Sequence, residues 1–375
     1  MARKPQLLTL FIALVAMLAI SACGSPQVAP TATSQPNTGQ AAQPTNAPQP
    51  TEAPQQPAET QAPAAGQGGT LTVYSGRTED LVGPLIEQFE KDTGIEVQVK
   101  YGDTAELAAA LLEEGDASPA DVFFAQDAGA LGAVRKAGLF APLSEAILSR
   151  VDERFRADDG SWIGVSGRAR VVVYNPELVK EEDLPETIFG FTDPKWKGKI
   201  GWAPTNGSFQ AFVTALRVLE GEERAREWLE GIQANEPKVY PKNTAIVEAV
   251  ANGEVEVGFV NHYYLLRLLK EKGDLKAKNY YFNNSDPGAL INVAGVGMLK
   301  SSDNKELAEQ FIAYLVSEKA QQYFSSETFE HPLVEGVKAD PRLPGLSEVQ
   351  TPKIDLSDLE DLDGTLQLLQ DAGVL

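Results

Sequence analysis

Residues 71–124 read LTVYSGRTEDLVGPLIEQFEKDTGIEVQVKYGDTAELAAALLEEGDASPADVFF. The first four, Leu71-Thr72-Val73-Tyr74, form an apolar run that stops at Ser75-Gly76. Leu81, Leu85, Ile86 and Phe89 then recur at helical spacing, and Thr93-Gly94 closes that helix. Ile95-Glu96-Val97-Gln98-Val99 alternates as a strand, 106–114 is helical, and Ala120-Asp121-Val122-Phe123-Phe124 is a further short strand. Strand, helix, strand, helix, strand predicts an α/β fold with a parallel sheet wrapped by helices.

A second series of the same kind begins at Ile200-Gly201-Trp202, followed by a turn, Pro204-Thr205-Asn206-Gly207, and helices over 209–219, 222–232 and 244–251. It closes with the strand Val255-Glu256-Val257-Gly258-Phe259-Val260, which ends at Asn261. The run Arg170-Val171-Val172-Val173-Tyr174 lies between the two series, and the apolar run 290–299 follows the second. These are read as two extended strands crossing between two lobes. Lobe 1 is expected over about 69–170 plus part of the region after 290, lobe 2 over about 175–288, and helices, including 305–315 and 366–372, over 304–375. Two hinged α/β lobes describe a clamshell that closes on a small ligand. Its ligand sits beyond the carboxyl ends of the strands. Four segments meet that condition: 75–80, 125–127, 205–208 and 261–264.

The chain ahead of the lobes is of another kind. Arg3 and Lys4 precede an apolar run over 7–22, shorter than the roughly 20 residues a membrane span needs. A basic start, an apolar middle and small residues before position 23 make residues 1–22 a signal peptide. The chain has one cysteine, Cys23, in the setting Ile20-Ser21-Ala22-Cys23. This resembles the bacterial lipobox, which implies acylation of Cys23, a lipid anchor and an extracytoplasmic location. The alternative is an ordinary signal peptide in which the cysteine has no role. Residues 24–68 are almost wholly Pro, Thr, Gln, Ala, Ser, Asn and Gly, so the stretch 23–68 is read as a disordered tether. With one cysteine the domain over 69–375 has no disulfide framework and stands on its core. The chain carries 32 basic against 53 acidic residues, which argues against nucleic acid and anionic lipid surfaces as partners.

The segment with most chemistry is Asn261-His262-Tyr263-Tyr264, just past a strand end. Phenolates are hard anionic donors, and only a strongly Lewis-acidic cation holds two of them ionised at neutral pH, since free tyrosine titrates near 10. The plain alternative is that Tyr263 and Tyr264 open a helix and pack. Thr205-Asn206-Gly207-Ser208 leads into a helix, where free N–H groups make an anion site; simple capping is the alternative. Of the two histidines, His262 is expected to point away from the site and His331 to lie on the surface.

Thr72-Val73-Tyr74-Ser75-Gly76, the runs 118–123, 166–174 and 194–200, Asn261-His262-Tyr263-Tyr264 and the run 286–290 occur in the order seen in one family. They resemble the bacterial ferric-iron-binding proteins of ABC importers over about residue 69 to the C-terminus. The resemblance implies a transferrin-like, type II periplasmic-binding-protein clamshell, ferric iron as cargo, and ABC permease and ATPase subunits as partners of a monomer. It assigns Tyr263 and Tyr264 as metal ligands and Asn206, Gly207, Ser208, Asn243 and Asn261 to a synergistic carbonate or phosphate, with Arg168 and Arg170 as secondary candidates. The first lobe departs from the pattern. Thr78 stands where members often have a histidine, Glu79 where one subgroup has a tyrosine, Gln126 where some have a glutamate, and Phe209 where an anion-free subgroup has a tyrosine. Glu79 and Gln126 are the expected first-lobe donors, with Asp127 and Tyr101 behind them, or water or an exogenous anion in their place. The same departure leaves room for another cargo, since relatives of similar fold bind thiamine, polyamines, phosphonates or other anions.

An enzyme is the rival class. The chain has no HExxH, Walker loop or paired-cysteine metal spacing. Gly164-Val165-Ser166-Gly167-Arg168 misses the nucleophile elbow at its last position. Capture fits this sequence better than turnover, and a binding lobe that serves a sensor is the other non-enzyme reading.

Overall fold

Glycine at position 94 marks where the first helix must stop: it adopts φ +74°, which ends the helix and turns the chain into the next strand. The computed structural model describes residues 68–346 and 348–375; the signal peptide, Cys23 and the tether through residue 67 lie outside the described residues. The chain runs β1 (Thr70–Ser75), α1 (Glu79–Thr93), β2 (Glu96–Tyr101), α2 (Thr104–Glu114), β3 (Val122–Ala125), α3 (Ala128–Lys136), β4 (Phe140–Ala141), α4 (Glu145–Leu148) and β5 (Ile163–Tyr174). It continues through β6 (Ile200–Trp202), α5 (Gly207–Glu220), α6 (Glu222–Ala234), β7 (Lys238–Val239), α7 (Asn243–Ala251), β8 (Val257–Asn261), α8 (Tyr263–Lys272) and β9 (Lys278–Tyr280). It returns through β10 (Ile291–Leu299), α9 (Lys305–Leu315) and α10 (Glu318–Ser326) and ends in a 3₁₀ turn (Leu356–Glu360) and α11 (Leu362–Asp371).

The strand order is β2-β1-β3-β10-β5-β8-β6-β7, with β4 on β10 and β9 on β5. β1 pairs in parallel with β2 and β3, and β6 with β7 and β8, as the two αβ series predict. β5 joins them. Ile163 to Ala169 pairs antiparallel with β10, and Arg170 to Tyr174 pairs with β8. All twelve of its residues are buried, so it is an interior strand of both lobes. In the second lobe the core is aromatic: Phe209 and Phe212 pack on Trp228, and Trp228 on Phe259.

The C-terminal helices do not stay together. Phe311 of α9 packs edge-on against Phe89 of α1 in the first lobe, with centroids 5.1 Å apart. Residues 356–371 instead cross between lobes. Their 3₁₀ turn lies on α3, so closely that a Cβ on Gly132 would stand 2.9 Å from Glu360 Cβ and one on Gly129 2.7 Å from the Leu359 carbonyl. α11 lies on α5, where Leu368 and Leu369 join the aromatic core and the Thr214 and Thr365 hydroxyls meet at 2.7 Å. This strap is a third crossing, beyond the two extended strands expected. It escapes sequence reading because residues 350–361 carry too little apolar periodicity to assign to either lobe.

Candidate functional site

β8 ends at Asn261, and the chain turns at once into α8, so Tyr263 and Tyr264 occupy the first turn of a helix at a strand's carboxyl end. The residue between them and the strand is fully committed. His262 Nδ1 accepts the Ala169 N–H at 3.1 Å, which places its proton on Nε2, and Nε2 donates to the Phe329 carbonyl at 2.8 Å. Burial pushes the His262 pKa down to about 4. The side chain is a neutral bracket that fixes the start of α8. His331 is corrected: it is fully buried, not on the surface, and stacks on His262 with centroids 4.7 Å apart. It is buried because Gly167 and His331 exchange backbone hydrogen bonds of 2.8 and 2.9 Å beside β5.

The two phenol rings stack with centroids 4.2 Å apart and planes 28° apart. Tyr263 is buried and its hydroxyl has no hydrogen-bond partner, while Tyr264 is half-buried. Burial, reinforced by Tyr264, pushes the Tyr263 phenol well above its ordinary value, and Arg77 and Arg168 pull it the other way. An orphaned buried hydroxyl costs on the order of 1–3 kcal/mol, a cost that a ligand on that oxygen would remove.

Tyr264 lines a cleft of about 730 Å³ between the lobes. Thr78, Asp80, Thr104, Gln126 and Asp127 face it from the first lobe, and Thr205, Asn206, Gly207, Lys242 and Arg267 from the second. Leu359, Leu362 and Leu366 of the strap close one side. Asp80 reaches across to Arg267 at 2.6 Å. Burial raises the Asp80 carboxyl, but hydrogen bonds from Thr78 and Arg267 outweigh it and hold it below the usual carboxylate range. Glu79 and Tyr101 do not line the cleft; Glu79 is exposed, and its charge raises the Tyr101 phenol, which burial raises more. Asp127 lines the cleft while its carboxylate caps α3, accepting from Ala130 N at 3.2 Å. Burial pushes that carboxyl up.

The expected anion residues converge. Asn206 Oδ1 accepts from Ser208 N at 3.1 Å, Ser208 Oγ at 2.5 Å and Asn243 Nδ2 at 3.2 Å. Three donors therefore point at one oxygen at the N-terminus of α5. Behind them Ser208 and Asn261 line a small cavity with Arg168, Arg170 and Asn292. Arg170 is fully buried, lies 5.6 and 5.2 Å from the Phe209 and Phe212 rings, and donates from Nη2 to the Phe259 carbonyl at 3.0 Å. Burial brings its pKa down to about 9. Its Nε and Nη1 have no partner, nor do Nε and Nη1 of Arg168. Sequence reasoning missed Arg77 and Glu330, whose side chains pair through two hydrogen bonds of 2.9 and 2.8 Å. Arg77 lay within a segment expected at the cleft, but no pattern links it to a residue 253 positions later.

A hinged pair of α/β lobes with ligand-facing strand ends on both sides is the type II periplasmic-binding-protein clamshell. The chain belongs to the bacterial extracellular solute-binding protein family, whose pattern it matches over residues 84–350. It is 35% identical over 308 residues to the Fe(3+)-binding periplasmic protein of Serratia marcescens, covering 81% of this chain and 90% of that one. The crystal structure of iron-bound HitA from Pseudomonas aeruginosa matches with a TM-score of 0.78 at 38% identity, over 81% of this chain and 99% of that one. The Trichodesmium protein IdiA (FutA), solved with iron and citrate ligands, matches with a TM-score of 0.73 at 31% identity, over 82% and 100%. Among the described residues no helix is long and apolar enough to cross a membrane, and no group of three or more His, Cys, Asp or Glu could hold a metal ion.

Proposed function

We propose that this chain captures ferric iron in the interlobe cleft, as a binding protein and not an enzyme, and delivers it to the permease of an ABC importer. The observation that carries the reading is the stacked pair Tyr263 and Tyr264, one hydroxyl buried and unpartnered, the other ring opening on the cleft. Two phenolates match a hard trivalent cation. The names borne by the relatives, ferric- and iron-binding, support the same cargo. From the first lobe we assign Gln126 and Asp80 as donors; Asp80 takes the place expected of its neighbour Glu79 because it faces the cleft. A carbonate- or phosphate-sized anion would replace the Asn206 carbonyl as acceptor for Ser208 and Asn243, with Arg168 and Arg170 behind it.

A tyrosinate–iron pair absorbs visible light through charge transfer from phenolate to metal. Metal-stripped protein mixed with ferric citrate is expected to give a red to purple band, and the Tyr263→Phe, Tyr264→Phe variant to give none while keeping its melting temperature. A colourless wild type, or a band that survives in the double variant, overturns the reading. We further propose that Cys23, outside the described residues, is acylated and holds a monomer at the outer face of the membrane. Labelled palmitate should enter the wild type and not Cys23→Ala; equal labelling would refute the anchor.

A further inference from the structure

Arg77, Arg168 and Glu330 have no exposed side-chain surface, and one carboxylate is hydrogen-bonded by Arg77 and faces Arg168 across a longer ion-pair distance. Arg77 holds both of its oxygens, through Nη1 at 2.9 Å and Nη2 at 2.8 Å, and the Thr328 hydroxyl donates to Oε2 at 2.8 Å. Arg168 brings its Nε to 4.0 Å from Oε1. Removing one partner of a buried ion pair leaves an uncompensated charge, so such carboxylates are kept in place by their surroundings.

Those surroundings are specific here. Glu330 N donates to the Phe324 carbonyl at 2.9 Å. The preceding Phe329 has φ +57°, strained backbone for a bulky residue, and its carbonyl is the acceptor for His262. Next along the chain, His331 is bonded to Gly167 of β5. The turn 328–331 therefore holds the end of β1 through Arg77, the middle of β5 through Gly167 and the start of α8 through His262. Arg168 of β5 faces this turn with Nε and makes its hydrogen bonds elsewhere. Its Nη2 meets the carbonyls of Gln126 and of Val293, the latter at 3.2 Å, and its side chain lines the small cavity beside Arg170, Ser208 and Asn261.

We infer that Glu330 is a positioning residue for the anion half of the site: its carboxylate, fixed by Arg77 and Thr328, aims Arg168 into the cavity behind Ser208. The inference rests on the ferric-iron and anion reading of the cleft. It names a residue that touches neither iron nor anion and lies far along the chain from the tyrosine segment, just after the Phe329 carbonyl that accepts from His262.

Glu330→Asp keeps the charge but draws the carboxylate back by one methylene. Arg168→Lys keeps the other charge but removes the fork. Thr328→Val is a milder loosening, for use if Glu330→Asp does not fold. Binding of phosphate and of carbonate to metal-free protein is measured by calorimetry, and the visible band of the ferric form by absorption. Glu330→Asp is expected to lose about tenfold or more in anion affinity and to shift the band, Thr328→Val to lose a few-fold, and the Glu330→Asp, Arg168→Lys pair to lose no more than the worse single change. A purely structural Glu330 would lower the melting temperature and leave anion affinity and band position unchanged, and additive losses would mean the two act separately; either result overturns the inference. A wild type that shows the ferric band but binds neither anion overturns it while leaving the iron reading intact. A wild type with neither overturns both.

Discussion

A one-residue displacement separates Glu79 from Asp80, and it decides which carboxylate faces the cleft. Successive residues on a helix differ in direction by about 100°, so neighbours at a helix start face different surroundings. Position at a strand end, which was legible, brings both residues to the site; the helix's rotation, which was not, selects Asp80. The tyrosines follow the same rule: both lie in the first turn of α8, which their place after the strand end made legible, but Tyr264 lines the cleft while Tyr263 turns inward. His331 was misread because its burial depends on a bridge to Gly167, 164 residues away, and not on its neighbours. That burial has a measurable effect. Burial, with His262 adding to it, lowers the His331 pKa to about 3, whereas an unfolded histidine titrates near 6.5. Between those values the unfolded chain takes up a proton that the folded chain refuses, so stability is intact above about pH 6.5 and falls as pH drops toward 3. At about 1.4 kcal/mol per unit the loss amounts to a few kcal/mol. Denaturant melts of metal-free protein at pH 7, 5.5 and 4 should show a shallower decline for His331→Gln than for wild type. Parallel declines would place the acid sensitivity elsewhere.

Among the elements, β5 was half visible. Arg170 to Tyr174 has the β-branched run of a strand, but Gly164 and Gly167 are poor strand formers. They form one because β10 pairs along that half and β8 along the other, and tertiary pairing outweighs propensity. The same limit hid α3, AGALGAVRK, whose glycines weaken any helical pattern. Their use lies in the strap. Gly132 has Glu360 Cβ at 2.9 Å and the Ser357 carbonyl at 3.2 Å from where a Cβ would stand. In an open helix Gly→Ala would add about 1 kcal/mol; here overpacking costs about 1–3 kcal/mol. Gly132→Ala is therefore expected to destabilise by about 1 kcal/mol in chemical denaturation. A stabilised variant would mean the strap does not dock closely on α3.

At the scale of the molecule, the two αβ series and the clamshell they imply were readable because each lobe repeats a local alternation of strand and helix. The third crossing was not, because a strap gains its place from two surfaces made much earlier in the chain. The Asp80–Arg267 pair across the cleft is largely solvated and worth no more than about 1 kcal/mol. Closure therefore has to draw on the ligand as well, through its higher affinity for the closed form.

The strap also has a consequence in time. Chains are made from the N-terminus, and domains generally fold as units in that order. The tyrosine helix is complete at Lys272, yet Thr214, Arg217 and the aromatic core around α5 wait for Thr365, Leu368 and Leu369. First-lobe strands likewise wait for β10, so neither lobe is finished while the other is still being made. A ribosome stalled before residue 362 would hold every residue assigned to iron and anion, Glu330 and its partners Arg77, Arg168 and Thr328 included, but a second lobe with an open face. So late a closing step keeps the nascent protein pliable for most of its synthesis.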